Sequence, residues 1–522
     1  MLCGTTKPMK KWVDVRMKDK NIVVILCDQL RKTFLSIYGG EMIKTPNIDR
    51  LASLGVVFDE AITQSPVCAP ARATMMTGRY VSDHGVWSND VPFREGIEYL
   101  PERMNQLGYH TCAFGKLHHF PGKDVKGFQY AKQMEENRLG EADDYFQFLK
   151  AHHPEVTGVF NHKDGFIYDE AEYYEAWIAS CAVQHIHEHK GSKPNQPFMA
   201  WISFQGPHTP YDPPQSVRGT VDVSKLPDFV PPPDEDISSV VSYRRILGGP
   251  NDWQEHIAQD RIKYAEMIVE IDCQIGKVIT ELEELGIFEE TIFIFSADHG
   301  DLLCDYNGID AKGPFPYSQQ LNIPLILANH PDVPHGQRSD ALVGNIDIAA
   351  TVLEIAGDKK SLGVSCSLIE QIKSTPSYTR KVNYSEFCDS MKLVENKKYR
   401  FCYYPFTADT ALFDKITDKQ ERYNLSGKPE YAQIEQSFLR DIIDFSIISK
   451  GVHIEAHDFV PAQQEGLKAK NPHFLESFDI AFPIPNKGKI EALRTAGLST
   501  TYNEFCKTKE VKASYGCYWE ES

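Results

Sequence analysis

The segment 65–79 places a cysteine, a proline and an arginine at a spacing that could serve nucleophilic chemistry. It reads S-P-V-C-A-P-A-R-A-T-M-M-T-G-R, so Cys68 and Arg72 belong to a C-x-P-x-R pattern that T-G-R follows. A helix that begins after Cys68 would lower the pKa of its thiol, and Arg72, one turn further on, could reach an oxyanion. By spacing alone, an inert cysteine is the commoner outcome, so both interpretations stand at this point.

Polar residues also follow two strongly apolar segments of the chain. Asp28 and Gln29 come directly after the segment 21–27, and Asp298 and His299 come shortly after 291–296. Open α/β sheets place ligands at the carboxyl ends of their strands, so these four side chains could converge on one divalent cation. Oxygen-rich ligation favours calcium, magnesium or manganese over a thiolate-type zinc site. The alternative is that each strand simply ends in polar loop residues.

These residues need a sheet whose strands end at one edge, and the sequence contains the patterns for such a sheet. Thr45 and Pro46 predict the N-cap and first residue of a helix that Gly55 ends. A longer helix is predicted over 258–285, with Gly286 as its stop. Runs typical of strands lie at 21–27, 56–58, 111–114, 198–204, 291–296 and 324–327. This alternation predicts an α/β fold with a large, mostly parallel mixed sheet sandwiched by helices.

The character of the sequence changes near residue 374. Shorter strand patterns at 381–386, 399–404 and 410–414 precede a helix pattern over 429–445. We therefore expect a catalytic α/β domain over 1–374 and a smaller α+β domain over 375–522, which contains an antiparallel sheet, a helix and a long tail. The segment 220–250 is rich in proline and is predicted to be a long surface loop.

Composition and charge exclude several classes of partner. A net charge of -18 would repel nucleic acid and an anionic membrane surface. Apolar runs stay well below the roughly 18 residues that a membrane span needs. Residues 1–20 lack the apolar run of a secretory signal, so the sequence as it stands predicts a cytoplasmic protein, or a periplasmic or secreted one if a leader was removed. The twelve cysteines are dispersed and show no C-x-x-C pair.

Several motifs, taken together and in order, resemble those of the sulfatase family. The pattern from Cys68 to Arg79 resembles the signature in which the cysteine is oxidised to formylglycine (3-oxoalanine). The stretch 108–118, G-Y-H-T-C-A-F-G-K-L-H, is similar to the second signature of the family. Motifs at 28–29, 206–211, 296–300 and 312–313 also appear, and all of these motifs stand in the family's order. The resemblance covers 22–357 well and continues weakly to residue 447.

The resemblance implies an alkaline-phosphatase-like fold and a role for each matched residue. The implied metal is calcium, with manganese and magnesium as alternatives. Its ligands would be Asp28, Gln29, Asp298, His299 and an oxygen of the modified Cys68. The residues around the sulfate would be Arg72, Lys116, His118, His208 and Lys312. Asn89 lies at the spacing from Cys68 at which some relatives place a polar substrate ligand, although a turn residue is the commoner reading.

The implied reaction is hydrolysis of a sulfate monoester to an alcohol and inorganic sulfate. A hydrated aldehyde at position 68 would offer two hydroxyls, and the metal would lower the pKa of the one that attacks sulfur, with Asp298 accepting its proton. His208 would protonate the leaving alcohol while the basic residues stabilise the sulfate oxygens. His118 would deprotonate the second hydroxyl, which expels sulfate. The cysteine needs a formylglycine-generating or anaerobic sulfatase-maturating enzyme as a partner.

Two departures from the common family pattern leave alternatives open. Glutamine at position 29 and histidine at 299 occur together in a branch that includes choline sulfatases and phosphonate monoester or phosphodiester hydrolases, whereas Lys116 and His118 favour a sulfatase. We expect a sulfated carbohydrate, as a small molecule or an oligosaccharide, and the aromatic residues Trp87, Tyr211 and Phe315 either stack on its rings or pack internally. The alternative that is not an enzyme is an inactive relative that only binds sulfate. A homo-oligomer is also compatible with the sequence.

Overall fold

The computed structural model describes residues 20–160, 166–233, 237–238, 241, 253–309, 311–360, 362–373, 380–388 and 390–448. The predicted tail after residue 450 and parts of the predicted loop 220–250 lie outside these described residues. The boundary between the two domains, predicted at 374, falls in a gap between them.

The main sheet of the described chain has eight strands. In chain order they are β1 (Asn21–Asp28), β2 (Gly55–Ile62), β3 (His110–Gly115), β4 (Tyr130–Gln133), β5 (Phe198–Pro207), β6 (Thr291–Ala297), β7 (Leu325–Ala328) and β8 (Gln337–Gly344). Their order across the sheet is β4-β3-β5-β1-β6-β7-β2-β8. Strand β7 runs antiparallel to both β6 and β2, and every other pairing in this sheet is parallel. The predicted mostly parallel mixed sheet is therefore confirmed.

The described chain also contains the following helices. In chain order they are α1 (Pro46–Ser53), α2 (Cys68–Thr77), α3 (Val81–His84), α4 (Leu100–Gln106), α5 (Asp144–His152), α6 (Tyr174–Ser192), α7 (Trp253–Glu284), α8 (Asp305–Gly308), α9 (Ser318–Leu321), α10 (Asp347–Ile355), α11 (Leu368–Ile372) and α12 (Ala432–Ile448). Helix α7 packs against both α1 and α6, and α2, α4 and α10 form a second group in mutual contact. Together with the sheet, these groups give the predicted α/β architecture.

Strand β1 lies at the centre of the sheet, between β5 and β6. All eight of its residues are buried. A nearly continuous run of β-branched and other apolar residues suits a parallel strand covered on both faces, because no side of it meets water. Burial of each Val, Ile or Leu side chain contributes about 1.5–3 kcal/mol, so this strand anchors the polar residues that follow it.

The helix predicted at Pro46 forms, but its N-terminus is capped by a different residue from the predicted one. Thr45 occupies the N-cap position without a side-chain hydrogen bond to the helix. The carboxylate of Asp272 in α7 instead accepts the backbone N–H groups of Asn47, at 3.1 Å, and Ile48, at 2.8 Å. Asp272, which is 225 positions from Asn47 in the sequence, thus supplies the hydrogen-bond acceptor that the local pattern assigned to Thr45.

The predicted long helix is α7, which begins at Trp253 and ends at Glu284. Gly286 follows with a φ of 68°, the left-handed conformation that commonly terminates helices. Strands β4 and β8 escaped prediction from sequence. The first has only four residues, Y-A-K-Q, and the first half of the second is largely exposed, so neither shows a marked apolar pattern.

A second, antiparallel sheet forms in the C-terminal region. Its four strands are β9 (Asn383–Phe387), β10 (Met391–Glu395), β11 (Tyr399–Tyr404) and β12 (Asp409–Asp414), and α12 packs against it. Strand β10 was not predicted, whereas the other three strands and the helix were. The smaller α+β unit is therefore confirmed. Among the described residues, no helix combines the length and the apolarity that a membrane crossing would require.

Candidate active site

The candidate site lies at the edge of the sheet where the parallel strands end. Strands β3, β5, β1 and β6 are neighbours and run in the same direction. Their carboxyl ends lead into Lys116, His208, Asp28 and Asp298, respectively. Strand β2 runs the same way, because both β2 and β6 are antiparallel to β7, and the chain after β2 reaches Cys68. Sheet topology thus gathers residues that are far apart in sequence.

Cys68 is the first residue of α2 and is fully buried. Its Sγ lies 2.8 Å from the Nζ of Lys312 and 3.2 Å from the Nε2 of His299. The Oδ1 of Asp28 lies 3.6 Å from the same sulfur. An inert cysteine would have apolar surroundings, whereas this one lies among charged groups and groups that could ligate a metal.

Cys68 and three side chains around its sulfur form a compact donor set. Asp28, Cys68, Asp298 and His299 each offer one ligand atom, and these atoms all lie within 4.8 Å of one another. All four residues are buried. Two carboxylates at this separation repel each other unless positive charge lies between or beside them. The donor set therefore fits a divalent cation with oxygen and nitrogen ligands.

The ring of His299 is oriented for such a role. Its Nδ1 donates to the backbone oxygen of Gly300 at 2.8 Å, which leaves the Nε2 lone pair directed toward Cys68. Burial lowers the pKa of His299 to about 4, so the ring is neutral near pH 7. Gly300 is required by close packing, because a Cβ there would lie 2.0 Å from the backbone oxygen of Gln319.

Gln29 turns the chain sharply after β1. Its φ of 64° is unusual for a residue other than glycine, and the backbone is held by Tyr264, whose hydroxyl donates to the Gln29 carbonyl at 2.6 Å. The Gln29 backbone N–H donates to Asp298 Oδ1 at 2.9 Å. Its side-chain Oε1 accepts from Lys312 Nζ at 2.6 Å, while Nε2 donates to Asp301. The amide oxygen therefore lies beside the Cys68 cluster.

Arg72 connects the two carboxylates of the cluster. Its Nε donates to Asp298 Oδ2 at 2.9 Å, and its Nη2 donates to Asp28 Oδ2 at 3.2 Å. Nη1 donates to Ser203 Oγ at 2.7 Å and to the backbone oxygen of Lys116. Although burial alone would lower the pKa of this guanidinium, the two carboxylates raise it above its ordinary value. Arg72 is thus a fixed cation that supports both acids.

Lys116 is buried between two further carboxylates. Its Nζ lies 2.5 Å from Asp28 Oδ2 and 2.6 Å from Glu136 Oε1. Burial favours the neutral acid at Asp28, but the positive charges of Lys116 and Arg72 outweigh it and hold the pKa well below its ordinary value. Asp28 is therefore ionised near neutral pH, as a metal ligand must be.

The two histidines predicted to act on the substrate are buried near this cluster. His118 has a φ of 57°, and its backbone N–H donates to Glu135 Oε1 at 2.9 Å. Within the described residues, neither ring nitrogen of His118 has a hydrogen-bond partner, although the ring is buried. Burial and the charges of Arg138 and Lys116 hold its pKa well below the ordinary value. The Nδ1 of His208 lies 2.8 Å from the Thr209 oxygen and 3.8 Å from Glu136.

Asn89 is buried at the start of α2. Its Oδ1 accepts the backbone N–H of Ala69, the second residue of that helix, at 3.2 Å. This bond satisfies one of the N–H groups that a helix N-terminus leaves without an intrahelical partner. Asn89 therefore helps to hold the first turn of α2, next to Cys68.

Sequence reasoning missed several acidic residues that complete the site. Glu135 and Glu136 follow β4, which had not been recognised as a strand. Asp301 accepts a hydrogen bond from the side chain of Gln29. Its position as the second acid of the D-H-G-D motif could have identified it from the sequence. Glu175 in α6 accepts the backbone N–H groups of Gln205 and Gly206, at 3.3 and 2.5 Å, just before His208. Each orients a residue of the site.

The three aromatic residues considered for sugar stacking differ in exposure. Phe315 is fully buried and stacks with Tyr317 at a centroid distance of 6.4 Å, so it packs internally. Trp87 is partly buried. Tyr211 is also partly buried, and its hydroxyl donates to Asp301 at 3.4 Å. Only Trp87 and Tyr211 of the three have exposed surface for a ligand.

Two family models match the chain. The model described as "Sulfatase" matches residues 20–358, which include every residue of the cluster around Cys68. The model described as "N-sulphoglucosamine sulphohydrolase, C-terminal" matches residues 311–446, and this range includes the smaller sheet and nearly all of α12.

Relatives and solved structures resemble the chain over most of its length. An arylsulfatase of Clostridium perfringens is 27% identical over 461 residues, which cover 81% of this chain and 93% of the relative. A phosphonate monoester hydrolase structure from Agrobacterium radiobacter has a TM-score of 0.70 at 21% identity, covering 82% of this chain and 96% of that one. A structure in complex with its substrate D-glucosamine-2-N,6-O-disulfate has a TM-score of 0.68 at 20% identity, covering 83% and 99%. At these identities the two structural likenesses concern the fold.

Proposed function

Because the chain belongs to the sulfatase family and is a sulfuric ester hydrolase, we propose that it hydrolyses the sulfate monoester of a sulfated carbohydrate. The nucleophile is made from Cys68 by oxidation to formylglycine, which a maturation enzyme carries out. The carbohydrate class is supported by the glucosamine disulfate that is the named substrate of one similar structure. Trp87 and Tyr211 are the candidates for contact with the sugar.

The observation that carries this proposal is the environment of the Cys68 sulfur. The Nζ of Lys312 lies 2.8 Å away and the Nε2 of His299 lies 3.2 Å away, and both groups are buried. A cation and a metal-ligating ring directed at one side chain are the arrangement needed by a nucleophile that attacks an anion.

We propose that one divalent cation, calcium first and manganese or magnesium as alternatives, is held by Asp28, Gln29, Asp298, His299 and an oxygen of the modified residue 68. When bound, such a cation supplies positive charge against sulfate oxygens and lowers the pKa of a hydroxyl that it contacts. The buried carboxylates and the amide oxygen of Gln29 suit calcium, which prefers oxygen ligands. Arg72 pairs with both carboxylates and holds them in position.

The remaining residues divide the work of moving charge and protons. Lys116, Lys312 and Arg72 stabilise the oxygens of the sulfate as negative charge builds up on them. His208, the residue that directly follows β5, donates a proton to the departing alcohol. His118 accepts a proton from the hydroxyl that remains on residue 68. Its ring is suited to this because it is neutral and its nitrogens have no hydrogen-bond partner among the described residues. Asn89 supports the first turn of α2 and contacts the substrate.

The proposed catalytic domain spans 1–374, and the proposed C-terminal domain spans 375–522. In the described part of the latter, Arg400 in β11 donates from Nη1 to the backbone oxygen of Pro316 at 3.1 Å and from Nη2 to Asn322 at 2.8 Å. These bonds fix the smaller sheet against the segment that follows Lys312. We infer that the smaller domain stabilises the loop from which Lys312 reaches the site.

The test is hydrolysis of a panel of sulfate monoesters, phosphodiesters and phosphonate monoesters. Mass spectrometry first verifies that Cys68 has been converted, and Cys68→Ala serves as the inactive control. Sulfate release that the control loses supports the proposal, and the preferred ester then identifies the sugar. The panel includes choline sulfate. Preference for this ester would identify the protein as a choline sulfatase and contradict the proposed carbohydrate substrate. Preference for phosphodiesters, or no turnover by fully converted protein, would contradict the sulfatase assignment.

A further inference from the structure

A second cluster of metal-ligating side chains lies at the amino end of β3, away from the candidate active site. His110, Cys112 and His185 each offer a ligand atom, and these atoms all lie within 4.8 Å of one another. His110 and Cys112 share one face of β3, because alternate residues of a strand point the same way. His185 comes from α6, which packs against this strand. The carboxyl end of β3 leads to Lys116, so the strand itself separates the two sites.

Ring stacking orients both imidazoles of this cluster. The rings of Tyr130 and His185 stack with a centroid distance of 3.8 Å and an interplanar angle of 11°. The rings of His110 and His189 stack at 4.4 Å and 12°. Tyr130 pairs with Cys112 in the β3–β4 register, so it lies beside the thiol as well. The two rings are therefore held in place before any ligand arrives.

Hydrogen bonding leaves a lone pair directed into the cluster. The Nδ1 of His110 lies 2.9 Å from the Oε1 of Gln129 and can donate to it, which fixes the tautomer with an unprotonated Nε2. That Nε2 faces the Nε2 of His185 at 2.9 Å. Two ring nitrogens directed at each other need either a shared proton or a cation. For a cation bound to both nitrogens at about 2.0–2.1 Å, the N–metal–N angle would be roughly 90°.

We propose that His110, Cys112 and His185 bind a transition-metal cation of the zinc class, with solvent completing the coordination. Nitrogen and sulfur donors favour zinc, cobalt, nickel or copper over calcium and magnesium, so this site and the oxygen-rich active site select different ions. On binding, the Cys112 thiol loses its proton to solvent and bonds the metal as a thiolate. Because His110 and His185 are only partly buried, the ion can enter from solvent.

Such an ion would connect β3 to α6. The chain leads from the end of β3 directly to Lys116 and His118. Helix α6 carries Glu175, which accepts the backbone N–H groups that precede His208. A ligand that binds only the folded chain raises its stability in proportion to the logarithm of its concentration. We therefore expect the metal to stabilise the fold without taking part in the hydrolysis.

The test is a Co²⁺ titration of the full-length protein, stripped of metal and carrying Cys68→Ala. That substitution removes the thiol of the active-site cluster, so a thiolate-to-cobalt charge-transfer band in the near ultraviolet must come from elsewhere. We expect a band that saturates with a single Co²⁺ and that Zn²⁺ displaces. Cys112→Ser should abolish the band, and His185→Ala should weaken Co²⁺ binding by roughly tenfold or more.

The matched control is His187→Ala, which removes a histidine of the same helix whose side chain is 68% exposed and lies outside the cluster. It should leave the band unchanged. His185→Gln, which keeps more of the side-chain volume, replaces His185→Ala if that variant does not fold. Absence of the band, its persistence in Cys112→Ser, or equal loss in His187→Ala would overturn the proposal. A Zn²⁺-dependent rise in Tm that His185→Gln loses would support it independently.

Discussion

The Nε of Arg72 donates to Asp298 Oδ2 at 2.9 Å, although the arginine belongs to α2 and the aspartate follows β6. The same guanidinium reaches Asp28 at the end of β1, so one side chain joins three elements at the carboxyl edge of the sheet. Its side chain is only 2% exposed, and both carboxylates are fully buried. Such a pair stabilises the fold only as long as both partners are present.

Arg72→Ala should lower the free energy of unfolding by about 3–5 kcal/mol in metal-free protein, because it removes a buried cation that pairs with both Asp28 and Asp298. Denaturant unfolding followed by circular dichroism measures this loss. Arg338→Ala is the matched control, since the Arg338–Asp59 pair is 48% and 38% exposed and should contribute no more than about 1 kcal/mol. Equal stability of the two variants would contradict the supporting role of Arg72.

Cys68→Ala should abolish sulfate release while leaving the fold intact. Loss of a nucleophile commonly lowers kcat by roughly four to six orders of magnitude, and alanine is compatible with the first turn of a helix. Initial rates with the preferred ester and the Tm of both proteins provide the measurement. Cys273→Ala, which changes an exposed cysteine, is the control and should retain full activity. Substantial turnover by Cys68→Ala would exclude residue 68 as the nucleophile.

His118→Ala should lower kcat by about 10²–10⁴, the range for loss of a positioned acid or base. The neighbouring His119→Ala is an informative control, because the side chain of His119 is also buried. His119 contacts the ring of Phe93, so its loss should affect stability and leave kcat nearly unchanged. A similar fall in kcat for both variants would show that burial, not position 118, accounts for the effect.

Two substitutions at Asn89 separate its structural role from a role in substrate binding. Asn89→Ala removes the acceptor of the Ala69 N–H and should cost about 0.5–2 kcal/mol of stability. Asn89→Asp keeps an acceptor at the N-terminus of α2 and should recover that stability. If Asn89 also contacts the anionic substrate, the aspartate variant should show a raised KM. An unchanged KM would limit Asn89 to the support of the helix.

The stability of the protein should fall as the pH decreases below about 6.5, in part because of His84. Burial and the charge of Arg79 lower the pKa of His84 from 6.5 to about 3, and its Nδ1 accepts the Val86 N–H at 3.0 Å. Between these two pKa values the unfolded chain binds a proton that the native protein does not. Unfolding is therefore favoured by about 1.4 kcal/mol per pH unit as the pH falls.

The measurement is the free energy of unfolding at about pH 7 and about pH 5 for the wild type and for His84→Asn, which cannot take up that proton. The variant should lose less stability between the two pH values than the wild type does. His187→Asn, which changes an exposed histidine, should keep the wild-type slope. Identical slopes in all three proteins would exclude His84 as a source of the pH dependence.

Much of the fold could be predicted because its central strands are long and apolar. Strands β1, β5 and β6 are buried along their whole length, and this burial is visible in sequence as nearly continuous apolar runs. Strands β4 and β8 lie at the two edges of the main sheet. An edge strand is paired on one side only and can be short or partly exposed, so its pattern is weak and both escaped prediction.

The chemical character of the active site was determined by the sequence itself. The C-x-P-x-R pattern at Cys68, the polar pairs after β1 and β6 and the later histidines and lysines are local features, because each depends on a few neighbouring residues. Tertiary structure alone decided which partners these groups meet. Asp272 caps α1 from a distant helix, Arg72 joins two strand ends, and His110, Cys112 and His185 converge behind β3. Such contacts follow from strand order and helix packing. These bring side chains together in space, and the distance between two side chains cannot be inferred from their separation along the chain.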